Sequence, residues 1–371
     1  MAIIVRLDVL MAERKVKSID LAERLGLTPV AVHAGHHDSH VGLGGRRRDV
    51  PVLAHHPRVG RHGAWHGGGR QEDHQVRGHE HGEDGAVSGL SLIHISDLES
   101  QYQAARNEAG AAFGNDGVYL EKLVLRPRHV EIQVLADDFG NNIALCERDC
   151  SVQRRHQKLI EEAPSPALTE DLRRAMGVAA IKAVRAVDYK NAGTIEFLLD
   201  ERGHFYFMEM NTRVQVEHPV TEQITGTDII KEQLRIASGE PMSCASRAPF
   251  SPFGHAMEFR INAEDPAHGF RPCPGTITKF EAPSGPGVRV ESYVRTGSRI
   301  SPYYDSLVAK LVVYGQDRQE VLQRGRRALD EFVIEGIQTT IPFHRRVLDN
   351  AVFCAGDATT DFIETQMGDV L

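Results

Sequence analysis

Two apolar segments, the second ending in a dense polar run, constrain this chain more than any other feature. They occupy residues 193–200 and 207–219, and residues 201–204 between them are typical of a hairpin turn. A turn of two or four residues gives the same register, in which the numbers of paired residues sum to 405. The sequence therefore predicts that Glu196 lies directly opposite Glu209.

Two carboxylates at opposed strand positions impose a physical requirement. Their Cβ atoms lie about 4.5–5.5 Å apart, and such charges repel by about 3 kcal/mol at an effective dielectric constant of about 20. Either one acid is protonated or a cation lies between them, and hard oxygen ligands of this kind suit Mg²⁺. The alternative is that one Glu simply pairs with a neighbouring Arg or Lys.

The chain as a whole limits the class of protein. Its 371 residues allow two or three domains, and its net charge of −8 argues against general nucleic-acid binding. No apolar run of about 18 residues predicts a membrane span, and the N-terminus lacks the pattern of a signal peptide. Five scattered Cys without zinc spacing predict reduced structural thiols and a cytoplasmic location.

Residues 1–32 have the composition of an ordinary protein. The stretch from Ser18 to Thr28 predicts a capped helix, a Gly turn and the start of a second helix. This segment resembles the opening of a phage-repressor-type helix-turn-helix protein. A DNA-binding regulator is disfavoured, because no recognition helix follows Val32.

Residues 33–95 differ in kind from the rest of the chain. They contain 12 of the 19 His and seven Arg but no Lys, Asn, Phe, Tyr, Met or Cys. Translation of GC-rich DNA in a wrong frame or strand would give this bias, and no period of a helix or strand is present. A His-rich metal tract is the alternative, disfavoured by the irregular His spacing. We predict that the segment is disordered or mistranslated, and that residues 1–95 are not native to the remainder of the chain.

From Ser96 onward the pattern is that of a folded α+β protein. Strands are predicted at 118–123, 128–135, 142–147, 255–264, 275–281, 287–293 and 307–314, in addition to the hairpin, and helices at 96–113, 169–187, 219–238 and 318–332. A Pro- and Ser-rich stretch at 241–252 separates a predicted domain of residues 96–240 from another of residues 253–371.

Several polar groups are candidates for chemistry. The 149–158 segment carries cationic and amide groups after a strand, which suits an oxyanion such as phosphate or bicarbonate or else forms a solvated basic loop. Arg213 and Glu217 flank Gln215 and Val216, so that a cation can hold an anion while a carboxylate takes its proton. His218 is expected to be structural.

Two further groups carry weaker signals. Glu121-Lys122, at a strand end, can present an acid and backbone groups to an adenine or ribose, although a surface ion pair is the favoured explanation of these two residues alone. His129, Glu131 and Gln133 alternate along one face of a strand, which is either functional or merely solvated.

Seven motifs then occur in order, at 119–122 (YLEK), 128–133 (RHVEIQ), 147–158, 161–166 (EEAPSP), 208–219, 260–265 (RINAED) and 302–306 (PYYDS). Together they resemble biotin carboxylase, the ATP-grasp component of acetyl-CoA carboxylase and related biotin enzymes. The resemblance covers about three-quarters of the chain. It implies an ATP-grasp domain followed by a biotin carboxylase C-terminal domain.

The resemblance also implies a reaction, the ATP-dependent carboxylation of biotin by bicarbonate through carboxyphosphate, which is the first half-reaction of acetyl-CoA carboxylase in fatty-acid synthesis. The implied nucleotide contacts are Glu121, Lys122, Val124, His129, Gln153, His156 and Leu198. The implied Mg²⁺ or Mn²⁺ ligands are Glu196, Glu209 and Asn211. The implied bicarbonate contacts are Lys158, Arg213, Gln215 and Val216, with Glu217 as the base and Arg260 stabilising the biotin enolate.

The implied partners are a biotin carboxyl carrier protein, carboxyltransferase subunits and a second copy of the chain. The family also has an N-terminal domain and a lid with a Gly-rich loop and two ATP-contacting Lys. Neither is recognisable in residues 1–95, and no Lys occurs between Lys17 and Lys122. An inactive chimeric or frameshifted fragment is therefore one alternative. The module of propionyl-CoA or pyruvate carboxylase is another, although the lack of a carrier domain before Leu371 favours a separate acetyl-CoA carboxylase subunit.

Overall fold

A computed structural model describes residues 102, 106–107, 124–249 and 251–368. The expectations for residues 1–95, for Glu121 and for Lys122 lie outside these residues. Of the predicted helix at 96–113, only Tyr102, Arg106 and Asn107 are described, and they are helical.

The strands are β1 (Arg128–Ala136), β2 (Asn142–Arg154), β3 (Gln157–Ala163), β4 (Asn191–Leu199), β5 (Phe205–Asn211), β6 (His255–Asn262), β7 (Glu264–Asp265), β8 (Arg271–Pro272), β9 (Gly275–Thr276), β10 (Lys279–Glu281), β11 (Val288–Ser292), β12 (Arg299–Ile300), β13 (Leu307–Gly315) and β14 (Val333–Glu335). The helices are α1 (Glu170–Ala186), α2 (His218–Thr225), α3 (Ile229–Ala237), α4 (Arg318–Glu331), α5 (Ile341–Asp349), α6 (Ala351–Ala355) and α7 (Phe362–Gln366). Within the described residues, none of these helices has the length and apolar character needed to cross a membrane.

One eight-stranded antiparallel sheet organises the described residues, in the order β11-β13-β6-β3-β2-β1-β4-β5. Pairing of β3 with β6 joins the strands before α1 to those after residue 255. The sheet is therefore continuous across the stretch at 241–252.

Side-chain alternation divides the middle of the sheet into an apolar and a polar face. On β1, Val130, Ile132 and Val134 pack with the buried side of α1 in one apolar cluster. The residues between them point to the other face, so His129, Glu131 and Gln133 share that face. They are 5%, 0% and 0% exposed, which excludes the solvated alternative.

The same division holds on β6. Met257, Phe259 and Ile261 belong to the larger apolar core formed with α4 and α5. Glu258 and Arg260 therefore lie on the opposite face. The chain thus places a polar surface along one side of β1 and β6.

The hairpin of β4 and β5 places Glu196 directly opposite Glu209 as predicted, although the turn differs from the prediction. Leu199 pairs with Phe205, so five residues, 200–204, connect the strands and the register near the turn is shifted by one. An extra residue, Met208, bulges between the pairs of Phe197 and Glu196 and restores the predicted register at the acids. The expected turn length was therefore wrong.

The turn itself is organised by Asp200. Its Oδ1 accepts hydrogen bonds from the backbone N–H groups of Arg202 and His204 at 2.9 and 2.8 Å. An Asp side chain that caps its own loop in this way stabilises a turn longer than the two-residue turns that are typical of hairpins.

Other expectations also need correction. The strand expected at 142–147 continues to Arg154, so the 149–158 segment does not follow a strand but lies within the β2–β3 hairpin. The strand expected at 275–281 is two short strands, β9 and β10. The expected strand ended too early because the residues after 147 include several charged ones, which rarely occur buried on a strand.

We predict that acid destabilises this fold partly through His344. Burial lowers the pKa of this His to about 4 from 6.5, with its hydrogen bond to the Arg260 carbonyl opposing the shift. The unfolded chain binds the proton more readily, so this stability is present above pH 6.5 and is lost as the pH falls through about 4. We expect a loss of about 1–3 kcal/mol, measured by urea unfolding at several pH values.

His344→Gln should flatten this slope, because Gln keeps a donor for the carbonyl but does not titrate in this range. The matched control is His204→Gln at the exposed turn, which should keep the full slope. An unchanged slope in His344→Gln would contradict the assignment.

Candidate active site

A row of four charged side chains crosses the polar face of the sheet. Arg148 on β2 lies opposite Glu131 on β1, Glu131 lies opposite Glu196 on β4, and Glu196 lies opposite Glu209 on β5. Directly opposed residues point to the same face. The register of four adjacent strands therefore concentrates three carboxylates and one guanidinium in a line.

Lys158, on β3, holds three carboxylates together. Its Nζ donates to Glu131 Oε2 at 2.5 Å, Glu196 Oε1 at 2.9 Å and Glu217 Oε1 at 2.7 Å. Burial opposes its charge, but these carboxylates raise the pKa of Lys158 well above its usual value. The ammonium is therefore charged at neutral pH and uses all three of its protons.

Arg148 is fully buried and anchors the other end of the row. Its Nε donates to Glu131 Oε1 at 2.5 Å. The two terminal nitrogens donate to side-chain oxygens of Gln133 at 2.7 Å, Thr221 at 2.9 Å, Thr194 at 3.1 Å and Gln215 at 3.2 Å. A buried guanidinium is tolerated because its donors find oxygens in this fixed arrangement.

The opposed acids Glu196 and Glu209 ionise differently. Burial disfavours the charge on Glu196, yet Lys158 and then His129 hold its pKa well below the usual value. Burial, followed by the charge of Glu196, raises the pKa of Glu209 to about 7. The protein thus meets the predicted repulsion by pairing Glu196 with Lys158 and by raising the pKa of Glu209.

Asn211 connects the two acids. Its Nδ2 donates to Glu196 Oε1 at 3.0 Å and to Glu209 Oε1 at 3.1 Å, and Gln215 Nε2 donates to Glu196 Oε1 at 2.8 Å. The three residues expected to ligate the metal are therefore in contact. Two carboxylates and an amide oxygen fit a hard divalent cation.

Other groups of potential ligands also occur among the described residues. His129, Glu131 and Glu196 offer atoms within 4.8 Å of one another, as do Glu131, Cys150 and Glu217. Glu131 already accepts hydrogen bonds from Arg148 and Lys158. Glu209 has neither partner, so the pair with Glu196 is the better candidate.

Glu217 is held between two cations. Its Oε1 accepts from Lys158, and its Oε2 accepts from Arg260 Nη2 at 2.9 Å. Burial alone would raise its pKa, but Lys158, Arg260 and Arg148 lower it below the usual value. Glu217 is therefore an ionised, enclosed carboxylate whose charge is held by the two cations.

The remaining expected contacts are distributed around this cluster. Val124 and Leu198 share a small apolar cluster with Tyr206, which provides an apolar surface. Gln153 is buried, whereas His156 is exposed in the β2–β3 turn.

Arg213 is not brought into the cluster. It is exposed, and its Nη1 donates to the Val214 carbonyl at 3.2 Å. The carbonyl of Val216 accepts from Lys310 Nζ at 3.1 Å. His218 donates through Nδ1 to the Gln215 carbonyl at 2.8 Å, and burial lowers its pKa to about 4, in agreement with a structural role.

The structure places three further residues in the site, Glu131, Arg148 and Glu161, to which the family resemblance had assigned no role. Alternation with His129 on one strand was a signal for Glu131. Glu161, whose Oε1 accepts from Arg260 Nε at 2.6 Å, lies in a motif that carried the family resemblance. Arg148 lies in the 147–158 motif, but its position opposite Glu131 arises only when β1 and β2 pair.

These features define an α+β fold with a buried, carboxylate-rich site, and comparison with known proteins identifies its domains. The family model "Carbamoyl-phosphate synthase L chain, ATP binding domain" matches residues 88–245, and the model "Biotin carboxylase C-terminal domain" matches residues 258–365. The fold is an ATP-grasp domain followed by that C-terminal domain.

Individual relatives give the same result. A biotin carboxylase of Nostoc sp. PCC 7120 is 56% identical over 281 residues, covering 76% of this chain and 63% of the relative. A pyruvate carboxylase subunit of Methanothermobacter thermautotrophicus is 50% identical over 280 residues, covering 76% and 57%.

A solved structure also matches: the biotin carboxylase domain dimer of Hydrogenobacter thermophilus 2-oxoglutarate carboxylase, in complex with MgADP, ADP and bicarbonate. The match has a TM-score of 0.68 and 46% identity, and it covers 74% of this chain and 61% of that one. From these matches, residues 88–245 and 258–365 correspond to the ATP-binding and C-terminal domains of biotin carboxylases. The chain spans less than two thirds of the length of these relatives.

We predict that Arg148→Met destabilises the fold by about 3–5 kcal/mol, because it leaves buried oxygens without their donor. The free energy of urea unfolding measures this. Adding Glu131→Gln should recover part of the loss, since it removes a buried charge. Arg174→Met, on the exposed side of α1, is the control and should change stability little. A small effect of Arg148→Met would contradict the anchoring role.

Proposed function

We propose that this chain carries out the ATP-dependent carboxylation of biotin, presented on a carrier protein, with bicarbonate as the carbon source and carboxyphosphate as the intermediate. One observation carries the proposal most directly. Glu217 is an ionised carboxylate enclosed by Lys158 and Arg260, next to the opposed acids Glu196 and Glu209. A base, two anion-binding cations and a metal-type ligand pair thus share one surface.

Proton transfer from bicarbonate falls to Glu217. Bicarbonate would bind Lys158 in exchange for one of the three carboxylates that its protons reach. This places an anion beside Glu217, and Lys158 and Arg260 offset the charge of both. Gln215, fixed by Glu196 and Arg148, and Arg213, at the exposed rim, are the further donors proposed for this anion. Removing the proton makes the bicarbonate oxygen a nucleophile toward a phosphoryl group.

Glu196, Glu209 and Asn211 would hold Mg²⁺ or Mn²⁺ together with the nucleotide phosphates. The cation would neutralise phosphate charge during phosphoryl transfer. Their mutual contacts and the raised pKa of Glu209, which burial and then Glu196 cause, support this role. The related domain solved with MgADP and bicarbonate also supports it.

The nucleotide itself would contact residues around this cluster. Val124 and Leu198 offer an apolar surface for the base, and His129, Gln153 and His156 are the proposed polar contacts. Glu121 and Lys122 complete the proposed set. Arg260 would stabilise the biotin enolate, since its guanidinium is fixed by Glu161 and Glu217 beside the bicarbonate site.

A biotin carboxyl carrier protein and carboxyltransferase subunits are the proposed partners, with a second copy of this chain. The dimeric state of the related domain supports the last. Five free thiols support a cytoplasmic location. We propose acetyl-CoA carboxylase as the parent system. A module of propionyl-CoA or pyruvate carboxylase is a second candidate, supported by the similarity to a pyruvate carboxylase subunit.

An inactive fragment is the third candidate, supported by the unusual composition of residues 33–95 and by the limited span of the match. We propose the boundaries of the chain's segments as 1–32, 33–95, 96–240 and 253–371.

We predict that Glu209→Gln weakens the binding of Mg-ATP by about ten- to a hundredfold, as loss of a residue that ligates or orients a metal ligand does. The fold should remain, because Gln keeps the size of Glu209 and can still accept the hydrogen bond from Asn211. Titration calorimetry with Mg-ATP gives the affinity and thermal unfolding gives the stability. Glu201→Gln, on the exposed hairpin turn, is the matched control. Equal affinities for Glu209→Gln and the parent chain would contradict the assignment of Glu209 as a metal ligand.

The function is tested by bicarbonate- and biotin-dependent ATP hydrolysis with the purified 371-residue chain. We expect turnover that needs both substrates, and a decrease of about a hundredfold or more in Glu217→Gln, since a general base commonly contributes that much. The Nostoc relative is the positive control. If that relative is active and this chain is not, the inactive-fragment candidate replaces the proposed function.

A further inference from the structure

The polar face of β6 carries a carboxyl group that the reaction above does not use. Glu258 is 0% exposed and lies two residues before Arg260. Glu161, also 0% exposed, lies directly opposite it on β3. Directly opposed side chains on antiparallel strands share one face of the sheet. Two buried carboxyl groups therefore face each other beside Arg260.

The hydrogen bonds of this pair are incomplete. Glu161 Oε1 accepts from Arg260 Nε, but within the described residues Glu161 Oε2 and both oxygens of Glu258 have no partner. A buried carboxylate without donors is strongly disfavoured. A proton on one group would supply the missing donor, and the other group would supply its acceptor.

The surrounding groups do not provide another solution. Lys310, opposite Arg260 on β13, donates to the Val216 carbonyl and pairs with Glu291. Glu217 adds negative charge from the loop before α2. From α2, His218 is kept neutral by burial, which lowers its pKa to about 4, and Glu222 pairs with Arg289. Arg260 is shared with Glu217, and Lys158 donates to Glu131 and to other carboxylates. Within the described residues, no other cation is left to pair with Glu161 and Glu258.

We propose that Glu258 is a positioning residue that shares one proton with Glu161, so that the pair carries a single negative charge. One carboxyl O–H donates to the facing carboxylate. The singly charged pair holds Arg260 by its Nε while Glu217 holds Nη2. Nη1 makes no hydrogen bond within the described residues and is left to donate to substrate. This last consequence rests on the proposed function.

The ionisation of both groups agrees with this geometry. Burial, and then the charge of Glu161, raises the pKa of Glu258 well above its usual value. Burial also raises the pKa of Glu161 to about 7, against the effect of Arg260. At neutral pH the pair therefore retains a proton. Its loss at alkaline pH would put a second negative charge behind Arg260.

Infrared spectroscopy of the full chain tests the proton itself, whether or not the chain turns over. All chains carry ¹³C-labelled Glu and Glu209→Gln, which removes the other carboxyl group whose pKa is raised to about 7. We expect an isotope-sensitive carbonyl band of a protonated carboxyl group at neutral pH. It should be lost in Glu258→Gln and shifted in frequency in Glu161→Gln, because the second substitution changes its acceptor. Glu162→Gln is the control and should keep the band, since Glu162 is bonded to His255 and Arg318.

Each result decides the question. A parent chain without a carboxyl band at neutral pH overturns the proposal even if no variant folds. A band that survives in Glu258→Gln, or that stays unshifted in Glu161→Gln, overturns the shared proton.

The pH profile of turnover tests the positioning role separately. Glu258→Gln should remove the alkaline decline in kcat, because the pair can then no longer become doubly charged. Glu161→Gln should lower kcat by about tenfold or more, since misplacing a catalytic group is costly. An unaltered alkaline decline in Glu258→Gln overturns this role. Absence of turnover in the parent chain counts against the proposed function and leaves the infrared result to decide the shared proton.

Discussion

The contact of Lys158 with three carboxylates is the interaction on which the rest of the site depends. Glu131, Glu196 and Glu217 come from β1, from β4 and from the loop before α2, and all are buried. Without a central cation, their mutual repulsion and desolvation would force them apart or protonate them. Because one ammonium satisfies all three, the acids remain ionised in a small volume. An unusually acidic surface is thereby compatible with a folded, buried site.

The sheet supplies the geometry that this interaction needs. Opposed pairing aligns Arg148, Glu131, Glu196 and Glu209 across four strands, and the pairing of β3 with β6 brings Arg260 to the same face. The domain that matches the ATP-binding family model and the C-terminal domain thus share hydrogen-bonded strands. Arg260, from the C-terminal domain, is therefore held in the site by a continuous sheet, which is more rigid than an interface between domains.

Much of this arrangement was predictable from the sequence where it depends on local pattern. The amphipathic helix α1 and its Thr169 cap, the Pro219 start of α2 and the opposed acids follow from spacing and turn chemistry. Arg148 was not predictable, because its burial depends on partners from β1, β4 and α2 that the sequence does not place. Glu258 was hidden for the same reason: its chemistry arises only when β6 pairs with β3. The turn length was misjudged because Asp200 stabilises a five-residue loop.

The bulge at Met208 has a consequence for how this hairpin tolerates change. It separates the register of the acids from the register of the turn, so one residue can be gained or lost at the tip while the strand pairing beyond the bulge is kept. A deletion in residues 200–204 that is accompanied by loss of the bulge leaves Glu196 facing Glu209. Length variation at this tip is thus neutral for the carboxylate pair. A one-residue insertion or deletion between the bulge and Asn211 instead turns Glu209 to the opposite face of the sheet.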